Sequence, residues 1–391
     1  VRFLHTSDWH VGKPLRNVRR DDEYEAALAE VLDIARREQV DCVLVAGDLF
    51  DSVAPPPEAE RIVFEFFREL IGARIPAVII AGNHDHPRRL HAFSRVLDLV
   101  GVHLRGEPVV AEQGGVVQVQ SRDGRETATI AALPWVSERK VVEFESLSQS
   151  GKPFADYAEG VSQMIAHLCG SFRPDTVNIL LAHVFLSGAA VAPEGGERQL
   201  HIGEIYAVPP QAIPPGVQYA ALGHVHNPEQ PRSFALANAY YSGSLLQVDF
   251  GEAGQRKQVN IVDVSPGKKA RVEPVPLTSI RQLRNLGAAR QGLTLDEIKA
   301  AADEAGDAYL KVFVKVDRPL PGLSAQIRDI LPNAVDIVVE RPADAADEEH
   351  DQVSHQDPRE LFAYYYRSQH SSDPPAELMA LFSRLYEEAT Q

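Results

Sequence analysis

Five short polar clusters, each placed directly after an apolar, β-branched run, constrain this chain more than any other feature of its sequence. Phe3-Leu4-His5-Thr6 leads into Asp8-Trp9-His10, Cys42-Val43-Leu44-Val45-Ala46 into Gly47-Asp48-Leu49-Phe50-Asp51, and Val78-Ile79-Ile80-Ala81 into Gly82-Asn83-His84-Asp85. Ile179-Leu180-Leu181-Ala182 then ends on His183, and Ala221-Leu222-Gly223 on His224-Val225-His226. Near-continuous apolar runs are strands covered on both faces, which requires a layered α/β architecture. Ligands in open α/β sheets gather beyond the carboxyl ends of strands. The pattern therefore predicts one crevice that collects Asp8, His10, Asp48, Asn83, His84, His183, His224 and His226.

The chemistry of that set is specific. Imidazole, carboxylate and amide oxygen together suit manganese, iron or zinc, whereas a structural zinc site more often uses thiolates. The chain has only Cys42 and Cys169, too few for a disulfide framework and both read as buried thiols. Glycines before Asp48, Asn83 and His224 permit tight turns that bring backbone close to an ion.

The remaining strands are expected at Val116–Val119, Ala128–Ala132, Val177–Leu181, Tyr219–Ala221, Tyr240–Ser242 and Val259–Val264, with helices at Tyr24–Glu38, Glu58–Ile71 and Arg88–Val100. A chain of 391 residues exceeds one core. After Ser265-Pro266-Gly267 the pattern changes, so the expected division is a catalytic domain over 1–265, a small α/β unit over 266–342, an acidic linker over 343–356 and a helical tail over 357–391. The small unit is to consist of Val272–Leu277, Leu295–Glu304, Tyr309–Val316, Ser324–Leu331 and Val335–Glu340. In the tail, Asp357-Pro358 and Asp373-Pro374-Pro375 open two short helices. Without an eighteen-residue apolar run or a leader pattern, the chain reads as cytoplasmic with no membrane contact.

Net charge is −16, from 39 basic and 55 acidic residues, which argues against holding nucleic acid by bulk charge but leaves local basic patches open. Arg16, Arg19, Arg20, Arg88 and Arg89 flank the expected mouth and are equally readable as a phosphate footprint or a solvated face. His5, His86, His91 and His103 read as core or surface histidines. No Gly-x-x-x-x-Gly-Lys-Ser/Thr pattern is present, so any ATP hydrolysis belongs to another chain.

The five clusters in their order resemble the calcineurin-like metallophosphoesterase superfamily over roughly residues 1–265. Phe3-Leu4-His5-Thr6-Ser7-Asp8-Trp9-His10-Val11-Gly12-Lys13, the Gly-Asp-Leu-Phe-Asp form and Tyr241-Ser242-Gly243-Ser244 further resemble the SbcD nuclease family of double-strand-break repair. The resemblance implies a sandwich of two sheets flanked by helices, with a small DNA-binding capping domain and C-terminal helices. It implies two Mn²⁺ per chain, or Mg²⁺ or another divalent metal in their place. Asp8, His10 and His226 would hold one ion, Asn83, His183 and His224 the other, with Asp48 bridging and His84 catalytic, oriented by Asp85. It further implies exonuclease and hairpin endonuclease action on DNA, a homodimer through helices near Glu58–Ile71 and Arg88–Val100, and a tail bound to the coiled coil of an SbcC-type ABC ATPase in a nucleoid-associated heterotetramer. Asp51 stands where archaeal and eukaryotic relatives carry His. The competing reading on the same metal core is a phosphomonoesterase or protein phosphatase, against which stands Asp85 where such phosphatases have Glu.

Overall fold

The computed structural model describes residues 1–147, 156–189, 206–228, 238–316 and 320–340, with scattered positions between 358 and 386. The acidic linker lies outside the described residues. The chain opens with a parallel βα succession: β1 (Arg2–Thr6), α1 (Asp21–Arg37), β2 (Cys42–Ala46), α2 (Pro57–Ala73), β3 (Ala77–Ile80), α3 (Pro87–Asp98) and β4 (Val102–Arg105). A second sheet follows from β5 (Val116–Gln120), β6 (Thr127–Leu133), α4 (Glu138–Leu147), α5 (Tyr157–Cys169), β7 (Val177–His183), β8 (Tyr219–Gly223) and β9 (Ala239–Tyr241). The chain then returns to the first sheet, where β10 (Gln258–Asp263) pairs antiparallel with β1 and β11 (Arg271–Pro276) with β10. The strand orders are β11-β10-β1-β2-β3-β4 and β5-β6-β7-β8-β9.

The two sheets face each other across Phe3, Leu44, Val78 and Ile80 on one side and Ile130, Ile179, Leu181 and Tyr219 on the other, all with 0% exposure. The opposite face of the first sheet packs on α1 to α3, and that of the second on α5. Strands covered on both faces need side chains that are apolar at every position, which is why their sequences do not alternate. The helices meet the sheet through stripes at helical spacing, such as Ile62, Val63, Phe66, Phe67 and Leu70 of α2. Phe67 is 2% exposed and lies edge-on to Phe64. Phe67→Ala should cost about 3–5 kcal/mol of stability, read as a lowered urea midpoint. A shift below about 1 kcal/mol would mean that the layer closes over the gap.

One boundary differs from expectation. Val272–Leu277 was to open the small domain, but β11 is the edge strand of the first sheet. Its register along β10 runs from Gln258↔Pro276 to Asp263↔Arg271, because the Ser265-Pro266-Gly267 turn reverses the chain into a hairpin. The small unit therefore begins with a strand that sequence periodicity did not show, β12 (Leu283–Leu286), and continues through α6 (Leu295–Ala305), β13 (Tyr309–Lys315), α7 (Leu323–Ile330) and β14 (Ala334–Glu340). Its parallel sheet has the order β12-β13-β14, and its core contains Ile298, Leu310, Val312, Val314 and Ile327. It sits against the large domain through Leu283 and Tyr309, which pack with Leu15 and Phe250. Arg16 spans both parts, 3.2 Å from Asp249 and 2.8 Å from Asp336.

His5 lies on β1, fully buried, with Nδ1 2.8 Å from the Tyr219 hydroxyl. Burial pulls its pKa from 6.5 down to about 3. Between those values the unfolded chain binds a proton that the folded chain refuses, so stability falls as pH drops through 6.5 and levels off near 3. By about pH 4.5 the loss from this one group is roughly 2–3 kcal/mol. Urea unfolding near neutral pH and near that acid value should show His5→Gln losing that much less than the parent; an equal loss in both would place the acid sensitivity elsewhere.

Candidate metal centre

All five clusters emerge at the carboxyl ends of their strands, and the two sheets bring them to one point. Asp8, His10, His183, His224 and His226 are at most 2% exposed, as is Asp48, while Asn83 and His84 are 8% and 6% exposed. The loops are forced into unusual backbone: Asp8, His10, Asp48 and His224 all have positive φ, at 50°, 49°, 51° and 101°. Non-glycine residues accept that region at a cost of about 1–3 kcal/mol each, and such strain concentrates at functional sites.

The donor atoms converge in three overlapping groups, two of which join the strand-end ligand candidates. Asp8, His10 and His226 offer ligand atoms within 4.8 Å of one another, as do Asp8, Asp48 and His183. His10 Nε2 faces His226 Nε2 at 2.9 Å and Asp48 Oδ2 at 3.7 Å. On the other side, His183 Nε2 is 3.5 Å from Asp48 Oδ2 and 2.9 Å from Asn83 Oδ1, and His224 Nδ1 is 3.0 Å from that same oxygen. Asp48 thus lies between a His10 side and a His183 side. Asp8 is held by the His224 N–H at 2.9 Å and by Ser7 Oγ at 2.6 Å, which in turn lies 2.8 Å from Ser242 Oγ. Trp135 stacks on the His224 ring, with centroids 5.2 Å apart.

Whether these residues fit a cation can be read from their protons. The Ala46 carbonyl accepts from His183 Nδ1 at 2.7 Å, so the ring proton sits there and Nε2 turns a lone pair toward the amide oxygen of Asn83. Two acceptors at 2.9 Å do not form a hydrogen bond with each other, and their geometry suits a cation between them. Charge agrees. Burial raises the Asp8 carboxyl to about 8, with Asp48 adding repulsion against the relief from His226. Burial lowers His183 to about 3 and drives His10 well below its ordinary value, helped by His84 and His226. Buried carboxylates ionise beside neutral imidazoles when a cation offsets their desolvation.

Glycines leave no room to spare here. A Cβ on Gly82 would lie 2.1 Å from Asp48 Oδ1 and 2.4 Å from Asp48 N. Gly82→Ala should therefore displace Asp48, costing about 1–3 kcal/mol of stability and weakening divalent-metal uptake in calorimetric titration. Uptake equal to that of the parent would mean that the loop yields without moving the carboxylate.

His84 stands beside the donors with its ring 4.7 Å from that of His10. Its Nδ1 donates to the Asp51 carbonyl at 2.7 Å, and its own N–H to Asp48 Oδ1 at 2.8 Å. It also offers a ring nitrogen within 4.8 Å of donors on His10 and Asp48. Asp85, expected to orient His84, instead accepts the N–H groups of Gly82, Leu49 and Phe50 at 2.9, 3.1 and 3.0 Å. It ties the second and third loops together, and the Asp51 backbone takes the orienting place at His84 Nδ1. Burial, with Asp48 near, raises Asp85 to about 7. The Asp51 side chain pairs with Lys13 Nζ at 3.0 Å.

The footprint arginines divide. Arg20 is interior, 3% exposed, donating to the Gln247 carbonyl at 2.6 Å and paired with Glu23 at 2.8 Å. Arg16 bridges the two domains, and Arg89 pairs with Glu60 at 2.5 Å. Arg19 and Arg88 keep 71% and 79% of their side chains exposed. Sequence reasoning missed Glu252, which accepts from His226 Nδ1 at 2.8 Å and pairs with Lys257 at the same distance. Burial alone would raise Glu252, but Lys257 and His226 hold it well below the carboxylate range. A lone Glu twenty-six residues from its histidine leaves no pattern in a sequence.

Two helix-flanked sheets whose strand ends present this donor set define a calcineurin-like phosphoesterase, and residues 1–228 match that family. Residues 274–370 match the family described as the type 5 capsule protein repressor C-terminal domain. The SbcD subunit of the SbcCD nuclease of Bacillus subtilis is 33% identical, covering 98% of this chain and 97% of its own. That of Rhodobacter capsulatus is 31% identical over 84% and 83% of the two chains, and that of Escherichia coli K12 30% over 71% and 69%. Among solved structures, a dimetal phosphatase from Danio rerio aligns at a TM-score of 0.40 and 12% identity, covering 71% of this chain and 96% of that one. The chain belongs to the calcineurin-like phosphoesterases and, among them, to the SbcD family of nuclease subunits. No helix among the described residues is long and apolar enough to cross a membrane.

Proposed function

We propose that this chain is the nuclease subunit of an SbcCD-type complex, a manganese-dependent hydrolase of DNA phosphodiesters with exonuclease and hairpin endonuclease action. The observation that carries the reading is the placement of Asp48 between two clusters of lone-pair donors at the joint mouth of two sheets. Asp8, His10 and His226 would hold one Mn²⁺, Asn83, His183 and His224 the other, and Asp48 would join them. When bound, such a pair lowers the pKa of water and offsets charge on the phosphoryl oxygens.

The protein's own residues do the rest. The Asp51 carbonyl holds one His84 proton on Nδ1, so that in the imidazolium form the second proton is on Nε2, the one given to the departing sugar oxygen as the ring returns to neutral. Asp85 binds the second loop to the third, so that Asp48 and His84 keep their spacing. Lys13, 20% exposed and paired with Asp51, stands at the rim with a donor for a phosphate.

The small unit from Leu283 to Glu340 acts as the capping domain that positions DNA. Homodimerisation through α2 and α3 is supported by the apolar residues α3 leaves outside, with Val96 67% and the adjoining Leu99 85% exposed. In the tail, the rings of Phe362 and Phe382 stack 4.2 Å apart, which supports a tail that offers apolar side chains to the coiled coil of an SbcC-type ATPase. The test is a side-by-side assay of the purified chain, alone and with its ATPase partner and ATP, on end-labelled linear and hairpin DNA and on a chromogenic phosphomonoester. Manganese-dependent DNA cleavage that chelator stops is expected; monoester hydrolysis with DNA left intact in every combination would transfer the assignment to a phosphatase.

A further inference from the structure

We propose that Glu252 and Lys257 are a positioning pair that sets the tautomer and aim of His226, an inference that rests on His226 being a metal ligand. The two are 0% and 1% exposed, and a charged pair that deep is no cheaper than apolar side chains of the same size. Its placement shows what it does. Glu252 Oε1 accepts a hydrogen bond from His226 Nδ1–H at 2.8 Å, which leaves Nε2 to present its lone pair toward His10 Nε2 at 2.9 Å. Glu252 Oε2 receives Lys257 Nζ at 2.8 Å and the Val248 N–H at 3.1 Å, with Ser244 Oγ 3.3 Å away.

Lys257 closes the circuit from the other end of the same residue. Its ammonium donates to the His226 carbonyl at 2.9 Å and to Gln255 Oε1 at 2.8 Å, so with Glu252 its three protons have three acceptors. His226 is thus gripped at backbone and ring by one ion pair. A carboxylate on the outer nitrogen of a liganding histidine fixes its orientation and raises its basicity.

The charge matters more than the shape. In a Glu252→Gln/Lys257→Met protein the amide oxygen is drawn to the Val248 N–H, and the amide nitrogen then faces His226 Nδ1. That nitrogen must accept, so the ring proton moves to Nε2, the atom that should ligate. The double substitution removes both charges together and so avoids stranding either one in the interior.

The experiment combines Mn²⁺ calorimetry with ring-¹⁵N histidine spectra of the full-length metal-free protein, the His226 signals being assigned by their absence in His226→Asn. The parent should show a proton on Nδ1 and take up two Mn²⁺. The double variant should show it on Nε2 and lose about 10–100-fold in affinity for one of the two ions, the other unchanged. A double variant with Nδ1 still protonated and with parental affinities overturns the proposal. Should that variant not fold, the parent spectrum decides, since a proton on Nε2 of metal-free His226 contradicts it directly. If instead His226→Asn binds both ions as the parent does, the ligand assignment itself falls and takes the positioning role with it.

Discussion

Replacing His84 by alanine is expected to slow DNA hydrolysis by about 10²–10⁴-fold, the usual worth of a positioned proton donor, while Mn²⁺ uptake keeps its stoichiometry. The reason is the geometry of its two ends. The His84 backbone N–H supports Asp48 Oδ1 at 2.8 Å, and alanine retains that bond. The imidazole, anchored by Nδ1 to the Asp51 carbonyl, is removed outright. Calorimetry and single-turnover cleavage on the same preparation separate the two roles. A variant that cleaves at the parental rate would take His84 out of the chemistry, and one that loses an ion would make it a ligand.

Asp48→Asn should have the larger effect on metal. The amide matches the carboxylate in shape and can still accept from the His84 N–H, so the fold survives, but the negative charge between the His10 and His183 sides is gone. Removing an outer partner of a metal ligand costs roughly 10–100-fold in affinity, and removing the shared inner anion should exceed that, leaving fewer than two ions bound and no cleavage above background. The metal-free variant should also lose less stability than the parent as pH rises from about 4 to about 8, the window in which Asp8 is ionised in the unfolded chain and protonated in the folded parent. Its neighbour Asp8, raised by burial to about 8 in part through repulsion from Asp48, then ionises more readily. Two ions bound at parental affinity would show that the bridging role belongs elsewhere.

Most of the residues that converge at the candidate site were legible because each follows its own strand at short range. Asp8 and His10 share a cluster two and four residues beyond Thr6, and Gly47-Asp48 and Gly82-Asn83-His84 follow runs whose uniform apolarity marks them as covered strands. Such signals are local, and a strand end implies a crevice whatever lies opposite. The partners that hold those side chains were not legible. Glu252 reaches His226 from beyond β9, Asp85 turns to the second loop rather than to its neighbour His84, and the Asp51 backbone, not a side chain, orients His84. Backbone carbonyls carry no sequence signature.

The fold divides in the same way. β-branched runs and helical stripes located most strands of the two-sheet domain and its helices α1 to α3, but not β4, α4 or α5, and β12 was missed because Leu283-Arg284-Asn285-Leu286 has one deeply buried residue and borrows its order from β13. β11, exposed along most of its length, reads the same in either domain; only its register on β10 places it in the large one. By itself the sequence determined which residues would meet and what ion chemistry they suit, since apolar runs and donor types are properties of short segments. Only the tertiary structure decided which ring nitrogen faces inward, which arginines are engaged inside the protein, and which carboxylate steadies which histidine. Those depend on groups brought within hydrogen-bond reach across the chain, from 26 residues apart for Glu252 and His226 to 227 for Arg20 and Gln247, by packing that no short segment contains.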